Sequence, residues 1–91
     1  MDGDVQTVLH IQNQKGLHAR AAAKFVKCVE EYDAEVWVTK QDNTVSGMSI
    51  MGLMMLAASA GTTIDVSASG ADAAAVISAL KQLIDNRFDE D

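Results

Sequence analysis

Val5-Gln6-Thr7-Val8-Leu9-His10-Ile11-Gln12-Asn13-Gln14-Lys15-Gly16-Leu17-His18-Ala19-Arg20-Ala21-Ala22 changes its hydrophobic period partway along. Val5, Thr7, Leu9 and Ile11 alternate with Gln6, Val8, His10 and Gln12, the period-two pattern of a strand with one buried face. Asn13 to Gly16 interrupts it as a loop. From Leu17 onward Ala19, Ala22, Ala23, Phe25, Val26 and Val29 recur at spacings of three and four, with Lys24, Lys27, Glu30 and Glu31 between them. That predicts an amphipathic helix over about 18–31.

The remainder alternates in the same way. Ala34 to Lys40, carrying Val36, Trp37 and Val38, reads as a second strand. A turn at Gln41-Asp42-Asn43 joins it to a short third strand at Thr44 to Ser46. Alternation should turn Trp37 away from Val36 and Val38, toward the open sheet face. Ser49 to Leu56 reads as a short helix with Ser49 as N-cap, ended by Gly61. Thr62 to Ser69 is a fourth strand, with Ile64 and Val66 on one face. A last helix over about 72–86 should bury Ala75, Val76, Ala79, Leu80, Leu83 and Ile84, leaving a frayed acidic tail, Phe88-Asp89-Glu90-Asp91. The order is β-α-β-β-α-β-α. A hairpin, together with helices that each bury one apolar face, implies an α+β fold with a sheet covered on one side. Gln6, His10 and Gln12 then point to water from the other face.

Length and composition narrow the function. Ninety-one residues make one domain, 1–91, with a modest core and little room for a deep cavity. Thirteen acidic against seven basic side chains leave a net charge of −6, which argues against nucleic-acid binding. The apolar run from Ile50 to Ala58 is too short for a bilayer span of about 20 residues. The start MDGDVQTV does not read as a secretory signal. One cysteine, Cys28, excludes an internal disulfide and fits a reducing cytoplasm. It lies within the first helix and reads as a packed thiol rather than a redox centre. With four aromatic residues in all, the core should be aliphatic and Met-rich.

Chemistry concentrates at Gly16-Leu17-His18-Ala19-Arg20. His18 falls at the start of a helix, where free backbone N–H groups and the positive end of the helix dipole attract an anion such as phosphate. Imidazolium is disfavoured there, so the ring should be neutral and able to act as a nucleophile. Arg20 adds a cation that can hold two phosphate oxygens. Taken alone, a loop histidine is more often idle. His10 alternates onto the open sheet face and reads as structural. No Cys or His lies at metal-ligand spacing, so no metal and no cofactor are expected. A small hydrolase using His18 as base lacks a partner acid or nucleophile nearby.

The string GLHARAAAKFVK (Gly16–Lys27) resembles the active-site segment of HPr, the histidine-containing phosphocarrier of bacterial phosphoenolpyruvate-dependent phosphotransferase systems. Ser49-Ile50-Met51-Gly52-Leu53-Met54 resembles the family's regulatory-serine segment, and Ser67-Ala68-Ser69-Gly70-Ala71-Asp72 its last strand-to-helix joint. The resemblance covers nearly the whole chain and keeps the order of the elements. It implies an HPr-like open-faced sandwich, a four-stranded antiparallel sheet covered on one face by three helices. It further implies a monomeric phosphoryl carrier rather than a turnover enzyme. His18 would accept a phosphoryl group on Nδ1 from phospho-Enzyme I, with Arg20 assisting, and pass it to an Enzyme IIA. HPr kinase/phosphorylase would act on Ser49. The family motif usually reads His-Ala-Arg-Pro, and Ala21 stands here in place of the proline. The wording LHARAAAKFVK and the tail RFDED favour the nitrogen-related regulatory branch over sugar transport, whereas SIMGLM resembles carriers with the kinase serine.

Lys15, Arg20, Lys24 and Lys27 would form a basic patch on this acidic chain, the last three sharing one helix face. Met48, Ile50, Met51 and Met54 would form an apolar patch for partners, with Leu53, Leu56 and Ala57 facing the core. A different class remains open: a regulatory or ligand-binding module of split β-α-β type in which His18 is not phosphorylated.

Overall fold

A computed structural model describes residues 4–89. The strands are β1 (Val5–His10), β2 (Glu35–Lys40), β3 (Asn43–Ser46) and β4 (Thr63–Ser69), and the helices are α1 (Ala19–Glu30), α2 (Ile50–Met55) and α3 (Ala73–Asp85). The strands form one antiparallel sheet in the order β1-β4-β2-β3. Leu9 pairs with Ile64, and Val38 lies between Val66 and Val45, so one face is a continuous aliphatic floor. The helices pack over that floor, α1 against α2 and α3, and α3 against β1 and β4. The α+β open-faced sandwich expected from the sequence is the architecture observed.

On the opposite face Gln6, Ser67, Trp37 and Ser46 form one cross-strand row, and Val8, Asp65, Thr39 and Thr44 the next. Gln6, His10 and Trp37 are exposed there, as alternation predicts. Gln12 lies beyond β1, and its Nε2 donates to Asp85 Oδ1 at 3.0 Å, tying the strand's exit to the end of α3.

The core corrects the composition argument. It is aliphatic around two phenylalanines, Phe25 and Phe88, and contains none of Met48, Met51, Met54 or Met55, which are all exposed. In α1 the buried residues are Ala21, Ala22, Phe25 and Val29; Ala19 and Ala23 face water and Val26 is half-buried. Alanine is too small to mark a face, and Phe25 sets the helix's rotation. In α3 the buried stripe is Ala73, Val76, Ile77, Leu80 and Ile84. Ala75 is exposed and Ala79 and Leu83 are half-buried, because the larger Ile77 takes the core side.

Several boundaries also differ, among them the start of β3, which is Asn43 rather than Thr44 because Asn43 pairs with Lys40. α2 ends at Met55, and its exit is a left-handed Ala57 (φ 53°) rather than Gly61, which belongs to the later turn into β4. α3 begins at Ala73, and Asp72 at its N-cap turns its side chain elsewhere: Oδ2 accepts the Asp33 N–H at 2.8 Å and so clamps the α1–β2 loop. The chain does not fray at Phe88. Arg87, Phe88 and Asp89 form a left-handed turn (φ 55°, 54° and 62°) that seats the Phe88 ring in the core. The expected end of the tail, Glu90-Asp91, lies outside the described residues.

Candidate functional site

The site starts from a loop with little freedom. Gly16 has φ +64°, and a Cβ there would lie 2.3 Å from the Ala58 carbonyl oxygen, so only glycine fits. The close approach is used: Leu17 N–H donates to that carbonyl at 2.9 Å. Asn13, fully buried, donates from Nδ2 to the Gly16 carbonyl at 2.8 Å, and Gly16 N–H donates to the Asn13 carbonyl at 3.1 Å. Buried Leu17 anchors the chain immediately before the histidine. Sequence reasoning missed Asn13, whose position before a Lys-Gly turn was the available signal.

His18 is the N-cap of α1, with extended backbone (φ −78°, ψ −177°). Its Nδ1 accepts the Arg20 backbone N–H at 3.3 Å, and its carbonyl accepts the Ala22 N–H at 2.8 Å. An accepting Nδ1 carries a lone pair and no proton. The ring is half-buried beside a shallow depression of about 190 Å³ lined by Lys15, Leu17, Ala57, Ala58 and Ser59. A nucleophilic nitrogen, the open end of a helix and a concave approach therefore meet at one point. Arg20 is exposed in the first turn of the same helix. Ala21 is buried in the first turn, and the helix runs without a break from Ala19 to Glu30.

The other singled-out residues fall in different places. Lys15 is exposed on the rim of the His18 depression. Lys24 is half-buried and donates its Nζ to the Phe88 carbonyl oxygen at 2.6 Å. Lys27 is exposed and shares a second depression with Lys24, Cys28, Glu31, Leu83 and Asp89, so these two lysines border the C-terminal turn. Ser49 caps α2, its Oγ accepting the Gly52 N–H at 2.9 Å. Leu53 and Leu56 face the core as expected, whereas Ala57 is exposed. Met48, Ile50, Met51 and Met54 are exposed, and Met55 joins them.

Cys28 is half-buried, and burial, with the nearby Glu31 carboxylate adding to it, pushes its thiol up from the ordinary value. Among the described residues no group of three or more His, Cys, Asp and Glu side chains is arranged to hold a metal. Among the described residues no helix is long and apolar enough to cross a membrane.

A family model described as the PTS HPr component phosphorylation site matches residues 5–86. The phosphocarrier protein HPr of Neisseria meningitidis serogroup A is 51% identical over 82 residues, covering 90% of this chain and 92% of that one. The phosphocarrier protein NPr of Shewanella violacea is 41% identical over 80 residues, 88% of each chain. The crystal structure of HPr from Thermoanaerobacter tengcongensis superposes with a TM-score of 0.91 at 39% identity, covering 96% of this chain and 98% of that one. A sheet of this order, a histidine capping the first helix and a family match across both show that the chain belongs to the HPr family of phosphotransferase-system phosphocarriers.

Proposed function

We propose that His18 is the phosphoryl acceptor, loaded by the phosphohistidine of Enzyme I and unloaded onto an Enzyme IIA. The observation that carries this reading is the hydrogen bond from Arg20 N–H to His18 Nδ1. It aims Nδ1, not Nε2, at the first-turn amides. In transfer the N–P bond on the donor imidazole breaks while one forms at Nδ1. No proton leaves Nδ1, because that nitrogen bears none. At 3.3 Å the resting bond is long and yields readily to attack. The amide released then faces a phosphoryl oxygen, so one donor serves both states. The Arg20 guanidinium, exposed beside it, neutralises charge on the other oxygens. The positioning is built in and the chemistry needs little more, which suits a protein whose site is a shallow depression completed by its partner.

In the same reading residues 1–91 act as one monomeric cytoplasmic carrier without a cofactor. Lys15, Lys24 and Lys27 contribute positive charge toward acidic partners. Met48, Ile50, Met51 and Met54 supply the adaptable apolar contact. Ser49 is a substrate for HPr kinase/phosphorylase. A phosphate there favours the start of α2 electrostatically but places about two negative charges within the docking surface, opposing an acidic partner. The test is incubation with labelled phosphoenolpyruvate and Enzyme I. Acid-labile label on His18, absent from His18→Ala, supports the carrier. Equal labelling of the variant removes His18 as acceptor, and a wild type that takes no label favours a module with an idle histidine.

A further inference from the structure

Four methionines lie within residues 48–55, and none serves the core. Their exposures are 49% (Met48), 73% (Met51), 42% (Met54) and 78% (Met55), while Leu53 and Leu56 supply the buried side of α2. Met51 and Met55 sit one turn apart, as do Ile50 and Met54, and Met48 just precedes the Ser49 cap, so thioethers make up most of the exposed surface of the helix beside Ile50. Leucine would give equal apolar area. What thioethers add is chemistry: a sulfur lone pair open to oxygen transfer, with no ionisation required. The other sulfur nucleophile is poorly placed to compete. Cys28 is half-buried beside Glu31, which keeps it as thiol rather than the reactive thiolate.

We propose that this outer surface of α2 is a reversible oxidation site. An oxidant of the peroxide class converts Met51 and Met55 first, and Met48 and Met54 after them, to sulfoxides that weaken partner docking and leave the fold intact. In the step the sulfur attacks one peroxide oxygen and the O–O bond breaks. An S–O bond forms, and the second oxygen leaves as water with both protons. The sulfur is oxidised by two electrons and the peroxide is reduced by two. The sulfoxide oxygen is a strong acceptor, so an apolar contact becomes one that must be desolvated on docking. Because the four side chains are exposed, the change falls on binding and not on packing. A methionine sulfoxide reductase reverses it. This inference rests on the reading of α2 as a docking surface.

The experiment treats the full chain with hydrogen peroxide, removes the peroxide with catalase, and maps oxygen addition by peptide mass spectrometry. Phosphorylation by Enzyme I and phosphoenolpyruvate is then measured. Untreated protein must label at His18; if it does not, the carrier reading itself fails, whatever the oxidation map shows. The expected result is oxygen on Met51 and Met55 before Met48 and Met54, and an unchanged circular dichroism spectrum and melting temperature. The KM of Enzyme I for the carrier rises roughly tenfold with the maximal rate retained. Treatment with MsrA and MsrB restores the original KM. A variant with all four methionines changed to leucine should show the same KM before and after peroxide, whereas Cys28→Ser should remain as sensitive as wild type. Full sulfoxidation with no change in KM overturns the proposal. So does oxygen found chiefly on Cys28, or peroxide sensitivity that persists in the four-leucine variant.

Discussion

The ammonium of Lys24 donates to the main-chain carbonyl of Phe88 at 2.6 Å, joining the middle of α1 to the end of the described chain across 64 positions of sequence. The relationship explains how three consecutive non-glycine residues hold left-handed backbone. Each such residue costs on the order of 1 kcal/mol. Sealing the Phe88 ring in the core contributes about 3 kcal/mol, and a bond from a charged donor adds about 1.5 kcal/mol. These favourable terms offset the strain.

Phe88→Ala should therefore destabilise the protein by about 3 kcal/mol or more, and Lys24→Met by about 1 kcal/mol. Urea midpoints check both. The double variant should lose less than the sum, because without the ring the carbonyl is no longer presented to Lys24. Strict additivity would mean that the two residues act separately.

Gly16→Ala should be among the most damaging single-methyl additions. The new Cβ meets the Ala58 carbonyl that Leu17 uses, and the backbone is left-handed. A loss of about 2 kcal/mol is expected, together with slower phosphorylation of His18. Retention of both stability and rate would contradict the anchoring role given to this loop.

Arg20→Ala should leave the melting temperature within a few degrees, since the side chain is exposed and its backbone N–H, which indexes Nδ1, is kept. Transfer from Enzyme I should slow by about tenfold or more, the order of a charge-assisted contact made in the transition state. An unaltered rate would remove the guanidinium from the mechanism.

At Ser49 two substitutions separate capping from charge. Ser49→Ala removes the Oγ that accepts the Gly52 N–H and should cost about 1 kcal/mol. Ser49→Asp keeps an acceptor at the cap and should stay within about 0.5 kcal/mol of wild type, yet bind Enzyme I more weakly. Isothermal titration set beside thermal melts decides it: equal affinity for Ser49→Asp and wild type would refute the electrostatic switch.

Cys28 gives a pH prediction with a definite sign. Burial, then Glu31, holds the thiol protonated in the folded protein above its ordinary value. The unfolded chain releases that proton first, so the stability present at neutral pH is lost as the pH rises past about 8.5. Cys28→Ser should flatten the fall between pH 7 and pH 9.5, measured as the change in urea midpoint. The same slope in both proteins would show that the thiol does not contribute to it.

Local pattern made much of the molecule readable in one dimension. Period two in Val5–Gln12 and Thr62–Ser69, period three to four after Leu17, and the turn residues Gln41-Asp42-Asn43 are properties of neighbouring residues, so β-α-β-β-α-β-α follows without coordinates, although pairing with Lys40 draws Asn43 out of the turn and into β3. The helix-start position of His18 and the capping position of Ser49 are legible for the same reason.

Contacts between distant residues supplied the rest. Composition alone placed methionine in the core, but Phe25 from α1 and Phe88 from the last turn are both buried in it, and Leu53 and Leu56 take the inner side of α2, so Met51 and Met55 stay outside. The left-handed Ala57 holds no sequence signature, because alanine is not a residue that marks a positive φ. Lys24 reads as one more cation on a helix face until the chain's far end brings a carbonyl to it. Periodicity encodes which face of an element is apolar, since that depends on a few adjacent side chains. Which of those apolar groups wins the limited interior volume, and which charge meets which dipole, emerges only when segments far apart along the chain are packed into one space.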